Sequence, residues 1–324
     1  MKQHLHSTLR KCLILSLVVL FSHFSSYSQL SAGNYYEAGF TAGPMVFMGD
    51  LGGHFGRGTT FLKDYNMKAT RLSVGAFVAA HPSELIGFRL AFNYGELDGD
   101  DAYITQKGGL EEARYNRNLD FRSQIVEGFL AVEIYPTVLI EDDPTSVFGR
   151  LRPYAVGGVG VFHFNPQGTY TDPATGQSTW VDLRPLHTEG EGFPEYPGRK
   201  EYSLTQINFP VGVGVKYYLN ENLNLSFEII HRFTLTDYID DVSTNYVDPS
   251  LFYAHLSPGL APIADQIYNK SPLRGIPGSA YNPGDKRGDP RQNDGYFTAA
   301  FKIGFRLGSG REWRNSTHCP LLRY

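Results

Sequence analysis

One stretch limits the fold of this chain more than any other. From residue 207 onward every second side chain is apolar: Ile207, Phe209, Val211, Val213, Val215, Tyr217 and Leu219. Between them lie Asn208, Pro210, Gly212, Gly214, Lys216 and Tyr218. After Asn220-Glu221-Asn222 the alternation resumes through Leu223, Leu225, Phe227, Ile229, His231, Phe233 and Leu235. Their counterparts are Asn224, Ser226, Glu228, Ile230, Arg232 and Thr234. Successive strand side chains point to opposite faces, so the pattern predicts a long antiparallel hairpin with one apolar face. Each arm exceeds the ~9–11 residues that a tilted strand needs to cross a bilayer. The hairpin reads as two staves of a transmembrane barrel.

Six more segments alternate in the same way. They are Tyr35 to Met48, Lys68 to Ala80, a strand from Ile86 to Tyr94, Leu119 to Tyr135, Arg152 to Asn165, and Phe297 to Leu307. The fifth is rich in glycine, and its facing is ambiguous. Long connections at 49–67, 96–118, 166–201 and 237–294 alternate with shorter ones. An even number of strands, short turns at one end and long loops at the other describe a bacterial outer-membrane barrel. The expectation is therefore an all-β, eight-stranded antiparallel transmembrane β-barrel over 29–308, with both termini periplasmic. Long structureless loops count against a compact soluble domain.

The N-terminus fits export. Lys2, Arg10 and Lys11 precede an apolar run from Cys12 to Phe21, and Ser26-Tyr27-Ser28 offers small residues before a cut. That is the layout of a secretory signal over 1–28; the run is too short for a helix of ~20 residues that spans a bilayer. Cleavage leaves Cys319 as the sole cysteine, so either an intermolecular partner or a free thiol is implied. A formal net charge of −4 before three basic residues are removed gives no basic face for nucleic acid.

Alternation does not say which face is inside, because a soluble lipocalin-like barrel alternates too, with its apolar face inward. Two features decide. The polar face is heavy in glycine (Gly39, Gly43, Gly75, Gly212, Gly214, Gly304), as a narrow interior requires. It also carries both signs of charge: Glu37, Glu127, Glu133 and Glu228 against Arg71, Arg89, Lys216, Arg232, Lys302 and Arg306. Paired across the lumen, these ten would plug it, since unpaired buried charge is costly. Aromatics near strand ends (Tyr35, Tyr36, Tyr135, Tyr154, Phe162, Phe164, Tyr217, Tyr218, Tyr296, Phe297) suggest interfacial girdles.

Little in the chain points to catalysis. Asp98-Gly99-Asp100-Asp101 and Asp237-Tyr238-Ile239-Asp240-Asp241 are acidic, but neither has the spacing of a 12-residue calcium loop; turn-forming Asp and Gly explain both. His163, His187 and His231 are the histidines worth testing for a Ser/His pair, yet no G-x-S-x-G motif is present. No enzyme, metal or cofactor is expected, and eight strands are too few for an aqueous channel. The tail, 309–324, carries Trp313, Arg314 and Cys319, residue types that serve as interface anchors or covalent ties.

Several strings extend this reading. They are Gly49-Asp50-Leu51, RNLDFRS from Arg117 to Ser123, and PYAVGGVGVFHFNP from Pro153 to Pro166. LRPLHTEGEG from Leu183 to Gly192, SLTQI from Ser203 to Ile207 and DYIDDVSTNYVD from Asp237 to Asp248 complete the set. In this order they resemble the PorG-like outer-membrane β-barrel family of Bacteroidota, tied to type IX secretion and gliding motility. The resemblance implies a non-enzymatic barrel in lipid and lipopolysaccharide that docks a ring of PorK-like lipoprotein and PorN-like periplasmic protein. It transfers no contact residues. The alternatives are a stand-alone structural or surface-binding barrel and, third, a lipid-modifying outer-membrane enzyme.

Overall fold

A computed structural model describes residues 35–51, 67–104, 111–140, 150–220, 222–277 and 281–307. The signal segment 1–28 and the tail 309–324, with Trp313, Arg314 and Cys319, lie outside the described residues. Nine strands are present among those described: β1 (Tyr35–Met48), β2 (Arg71–His81), β3 (Ile86–Asp100), β4 (Asp120–Ile134), β5 (Leu151–Thr171), β6 (Ser178–Asp182), β7 (Thr205–Tyr218), β8 (Leu223–Thr234) and β9 (Gly295–Leu307). Eight of them pair in chain order, every neighbour antiparallel, and β9 closes on β1. The expected eight-stranded barrel is the observed one. The ninth strand, β6, pairs only with the outer arm of β5, from Gln167 to Thr171, and stands clear of the ring.

Closure leaves no unpaired edge facing lipid, which is the condition for a sheet to span a bilayer. The outward residues are apolar on every stave: Phe40, Val78, Leu90, Leu130, Val161, Val213, Ile229 and Phe301 are all exposed. The inward residues are mostly charged, polar, small or aromatic. An apolar belt around a polar interior is the inverse of a soluble barrel, and it places the protein in the outer membrane. No helix among the described residues is long and apolar enough to cross a membrane. Both ends of the barrel, at Tyr35 and Leu307, sit on the periplasmic rim with the turn 82–85 and the strand ends at Ile134, Leu151, Tyr218 and Leu223.

The structure settles the facing of β5. Tyr154, Val156, Phe162 and Phe164 point inward, because the register sets Gly157 and Gly158 opposite Val132 and Ala131 of β4. It also corrects the girdle expectation. Tyr36 and Tyr217 face outward, but Tyr135, Tyr154, Phe162, Phe164 and Tyr296 are almost fully buried in the lumen. Glycine on neighbouring inner positions makes the room: a Cβ at Gly214 would sit 2.5 Å from the Tyr154 ring, and one at Gly304 would strike the Glu37 carboxylate.

The outer connections depart furthest from expectation. Instead of structureless loops, 172–204, 235–277 and 281–294 form a cap whose core is continuous with the upper barrel wall. Within it are α2 (Ser250–His255) and α3 (Ala261–Tyr268), while α1 (Glu111–Arg117) comes from the β3–β4 connection. Phe252, Ala264, Ile267, Val242, Ile239 and Tyr246 are buried and join Phe162, Phe164 and Phe121 of the upper barrel wall in one cluster. Long runs of Gly, Pro and charge hid these contacts, because the apolar residues involved are scattered rather than periodic. The Gln266 side chain further ties α3 to the β5 arm, accepting from the Thr171 amide and donating to its carbonyl, each at 2.8 Å.

Candidate functional site

The interior divides into a ladder of charges in the membrane and an acidic mouth beneath the cap. On the periplasmic side, Glu37 from β1 takes Lys216 of β7 at 2.9 Å. Glu133 of β4 lies 3.2 Å from Arg89 and 3.4 Å from Lys302, and 3.9 Å from Lys216. Glu228 of β8 holds Arg89 at 2.8 Å and Lys302 at 3.3 Å. The Tyr154 hydroxyl donates to Glu228, the Tyr135 hydroxyl to Glu133. Three carboxylates thus meet three cations. One layer further out, Arg232 lies 3.2 Å from Glu127, which also accepts from Asn93, Asn208 and the Tyr296 hydroxyl.

Eight of the ten charges marked in the sequence therefore come together, and all eight are buried. The other two do not join. Arg71 sits at the outer rim, 39% exposed, and pairs with Asp98 at 2.7 Å and Glu96 at 3.5 Å; its position at the first residue of β2 puts it above the lumen. Arg306 sits at the periplasmic rim and stacks its guanidinium 3.8 Å over the Tyr35 ring. Tyr35 in turn stacks on His81, with ring centroids 4.3 Å apart. A cavity of about 10 Å³ lies between the two layers, lined by Arg89, Phe129, Arg232 and Thr298, room for about one water. Among the described residues, salt bridges close this lumen below and the buried rings of Phe162, Phe164 and Tyr296 close it above.

Under the cap, carboxylates outnumber cations. Asp101 takes Arg117 of α1 through both oxygens, at 2.8 and 2.9 Å, and Glu189 takes Arg287 at 2.9 Å. Lys270 pairs with Asp120. Asp241, at φ +62°, accepts from the Thr188 and Tyr202 hydroxyls. Asp240 accepts from the Leu51 and Val242 amides. Burial first, and then the charges of Asp241 and Glu189, push the Glu191 carboxyl well above its ordinary range. Among the described residues no three His, Cys, Asp or Glu side chains are grouped to hold a metal ion.

The three histidines stand apart. His163 is exposed on β5 against the Thr205 hydroxyl, His187 is in the cap with its ring nitrogen on the Glu191 carbonyl, and His231 packs edge-on against Phe233 on the outward register. Sequence reasoning singled out Asp237, Asp240 and Asp241 only as a turn, and gave Asp50 and Asp294 no role. Their convergence depends on loop contacts across the chain.

No protein-family profile and no curated protein matches the chain. Solved structures do resemble it. A major outer membrane protein from Thermus thermophilus aligns at 12% identity, covering 85% of this chain and 100% of its own, with a TM-score of 0.38. The outer membrane protein OprG from Pseudomonas aeruginosa aligns at 12% identity over 86% and 97%, TM-score 0.31. Escherichia coli outer membrane protein W aligns at 15% identity over 86% and 99%, TM-score 0.29. At these values the fold assignment rests on the strand pairing described above.

Proposed function

We propose that this sealed barrel is a non-enzymatic anchoring subunit of the type IX secretion apparatus, docking a periplasmic ring of PorK-like and PorN-like proteins. The observation that carries the first half is the filled lumen: four carboxylates and four cations pair across its membrane section, which argues against conduction. What the fold supplies instead is a rigid post in the outer membrane with two presentable ends. The second half rests on the sequence strings that resemble PorG-like barrels. The docking face in this reading is periplasmic, built from the short turns and the tail with Trp313, Arg314 and Cys319.

Affinity purification from solubilised membranes tests it. The ring proteins co-purify if the reading is right. Their absence, with the barrel intact, leaves a stand-alone surface-binding barrel, the reading that the ordered outer cap favours. Non-reducing electrophoresis of Cys319→Ser membranes tests the tail separately: a band present in wild type and lost in the variant marks a covalent partner, and identical ladders dismiss it.

A further inference from the structure

The mouth of the barrel holds four carboxylates fastened to one another through the backbone, with no cation among the described residues set between them. The Asp294 amide bonds the Thr236 carbonyl, next to Asp237. Asp294 Oδ2 accepts from the Ile239 amide at 2.8 Å, next to Asp240. Asp240 Oδ2 accepts from the Leu51 amide at 2.9 Å, next to Asp50, and Asp50 Oδ2 accepts from the Asp289 amide at 2.5 Å. Three separate segments (49–51, 236–242 and 288–294) meet at these side chains.

Three other buried acids near the mouth are paired, Asp98 with Arg71, Asp101 with Arg117 and Glu189 with Arg287, whereas Glu191 keeps one oxygen without a hydrogen bond. In this set two side chains share that lack. No well-formed hydrogen bond reaches either oxygen of Asp237 or Asp294 Oδ1, although the residues are 8% and 1% exposed; the Ser243 hydroxyl is the one neutral donor near Asp237, and it only partly offsets the effect of burial. The charged groups packed around the set are committed elsewhere. Arg117 of α1 is taken by Asp101 and by the carbonyls of Asp50 and Arg287. Arg287 holds Glu189 and the Asp241 carbonyl, and Lys286 holds Asp289 at the surface. The acid neighbours Glu189, Asp241 and Asp289 add repulsion.

Several unpaired charges in one buried site are not sustainable, and no three of these groups are arranged to hold a metal ion. We propose that Asp50, Asp237, Asp240 and Asp294 form a proton-held latch that keeps the outer cap seated on the barrel and releases it when they ionise. The titration behaviour agrees. Burial, helped by neighbouring carboxylates, pushes Asp237 up to about 8 and Asp240 and Asp294 well above the ordinary range.

The sign follows. In a free loop these carboxyls lose their protons near 3.8, whereas in the seated cap they keep them to higher pH. The seated cap therefore binds more protons than the released one. Its stability is greatest at acid pH and falls as pH rises from about 4 to about 8.

The experiment is amide hydrogen exchange on the full chain in lipid nanodiscs at about pH 5 and about pH 9, with rates corrected for intrinsic exchange. The opening equilibrium of amides 237–242 and 289–294 should rise by about tenfold or more at the higher pH, while lumen-facing strand amides stay protected. In Asp237→Asn/Asp294→Asn the rise should shrink by about threefold or more, the remainder coming from Asp50 and Asp240. The single Asp237→Asn, which keeps an oxygen to accept from Ser243, serves if the double variant does not fold as judged by heat-modifiable electrophoretic mobility; its transition should be shallower. Equal opening at both pH values in wild type overturns the latch. So does an unchanged rise in the folded variants, or opening at acid pH on adding a chelator, which would mean that a metal holds the cap.

Discussion

The lumen and the mouth bury carboxylates by opposite means. In the lumen each acid faces cations from across the barrel: Glu133 has Arg89, Lys302 and Lys216, and Glu127 has Arg232. At the mouth, Asp240 and Asp294 accept from backbone amides, while both oxygens of Asp237 and one of Asp294 are buried without a hydrogen bond. The difference follows from what surrounds each site. The bilayer offers no water and no route for a proton, so charge there must be met by fixed opposite charge. Beneath the cap the groups lie a few residues from solvent, where protons exchange freely. The first arrangement gives a rigid plug, the second a seal whose strength follows pH.

The comparison breaks most sharply at Glu133. Glu133→Ala leaves Arg89, Lys216 and Lys302 to share only Glu37 and Glu228, one buried cation in excess, and should cost ~3–5 kcal/mol, read as a lower urea midpoint for the barrel refolded in lipid vesicles. A loss under ~1 kcal/mol would mean that the ladder is not a charge-balanced unit. Next comes the cap. Phe252→Ala opens a cavity in its core and should cost the cap ~3–5 kcal/mol, seen as faster proteolysis within 237–294 while the barrel keeps its heat-modifiable mobility. Joint collapse of barrel and cap would make them one cooperative unit. Smallest is Arg71→Ala at the outer rim, where the pair with Asp98 and Glu96 is partly solvated; ~0–1 kcal/mol is expected, shrinking in high salt.

The barrel was legible in the sequence because its signal is periodic. Alternation marks each stave, and small or charged residues against apolar ones mark the two faces, so β1, β4, β7, β8 and β9 fall within a few residues of where the pattern puts them. The two misplaced charges share a cause: Arg71 and Arg306 keep the inward register, but lie at strand ends, and register says nothing about height along the barrel. The cap was illegible because its contacts are non-periodic. Phe252 meets Tyr268 at 5.2 Å between ring centroids, and Phe164 stacks on Tyr202 at 6.2 Å; neither pair has a spacing that a pattern reveals. The acidic mouth was missed for a related reason. Asp50 and Asp294 are more than two hundred residues apart in the chain, and only closure of β1 on β9 brings them side by side.

That same closure bears on how the protein enters its membrane. Lys216 and Glu37 are 179 residues apart, and Lys302 and Glu133 are 169 apart. Neither partnership exists until the first and last staves meet. A half-inserted sheet would hold bare lysine and glutamate against hydrocarbon, a state the bilayer strongly disfavours. Insertion is therefore tied to ring completion, and the chain commits to lipid as a finished cylinder rather than stave by stave.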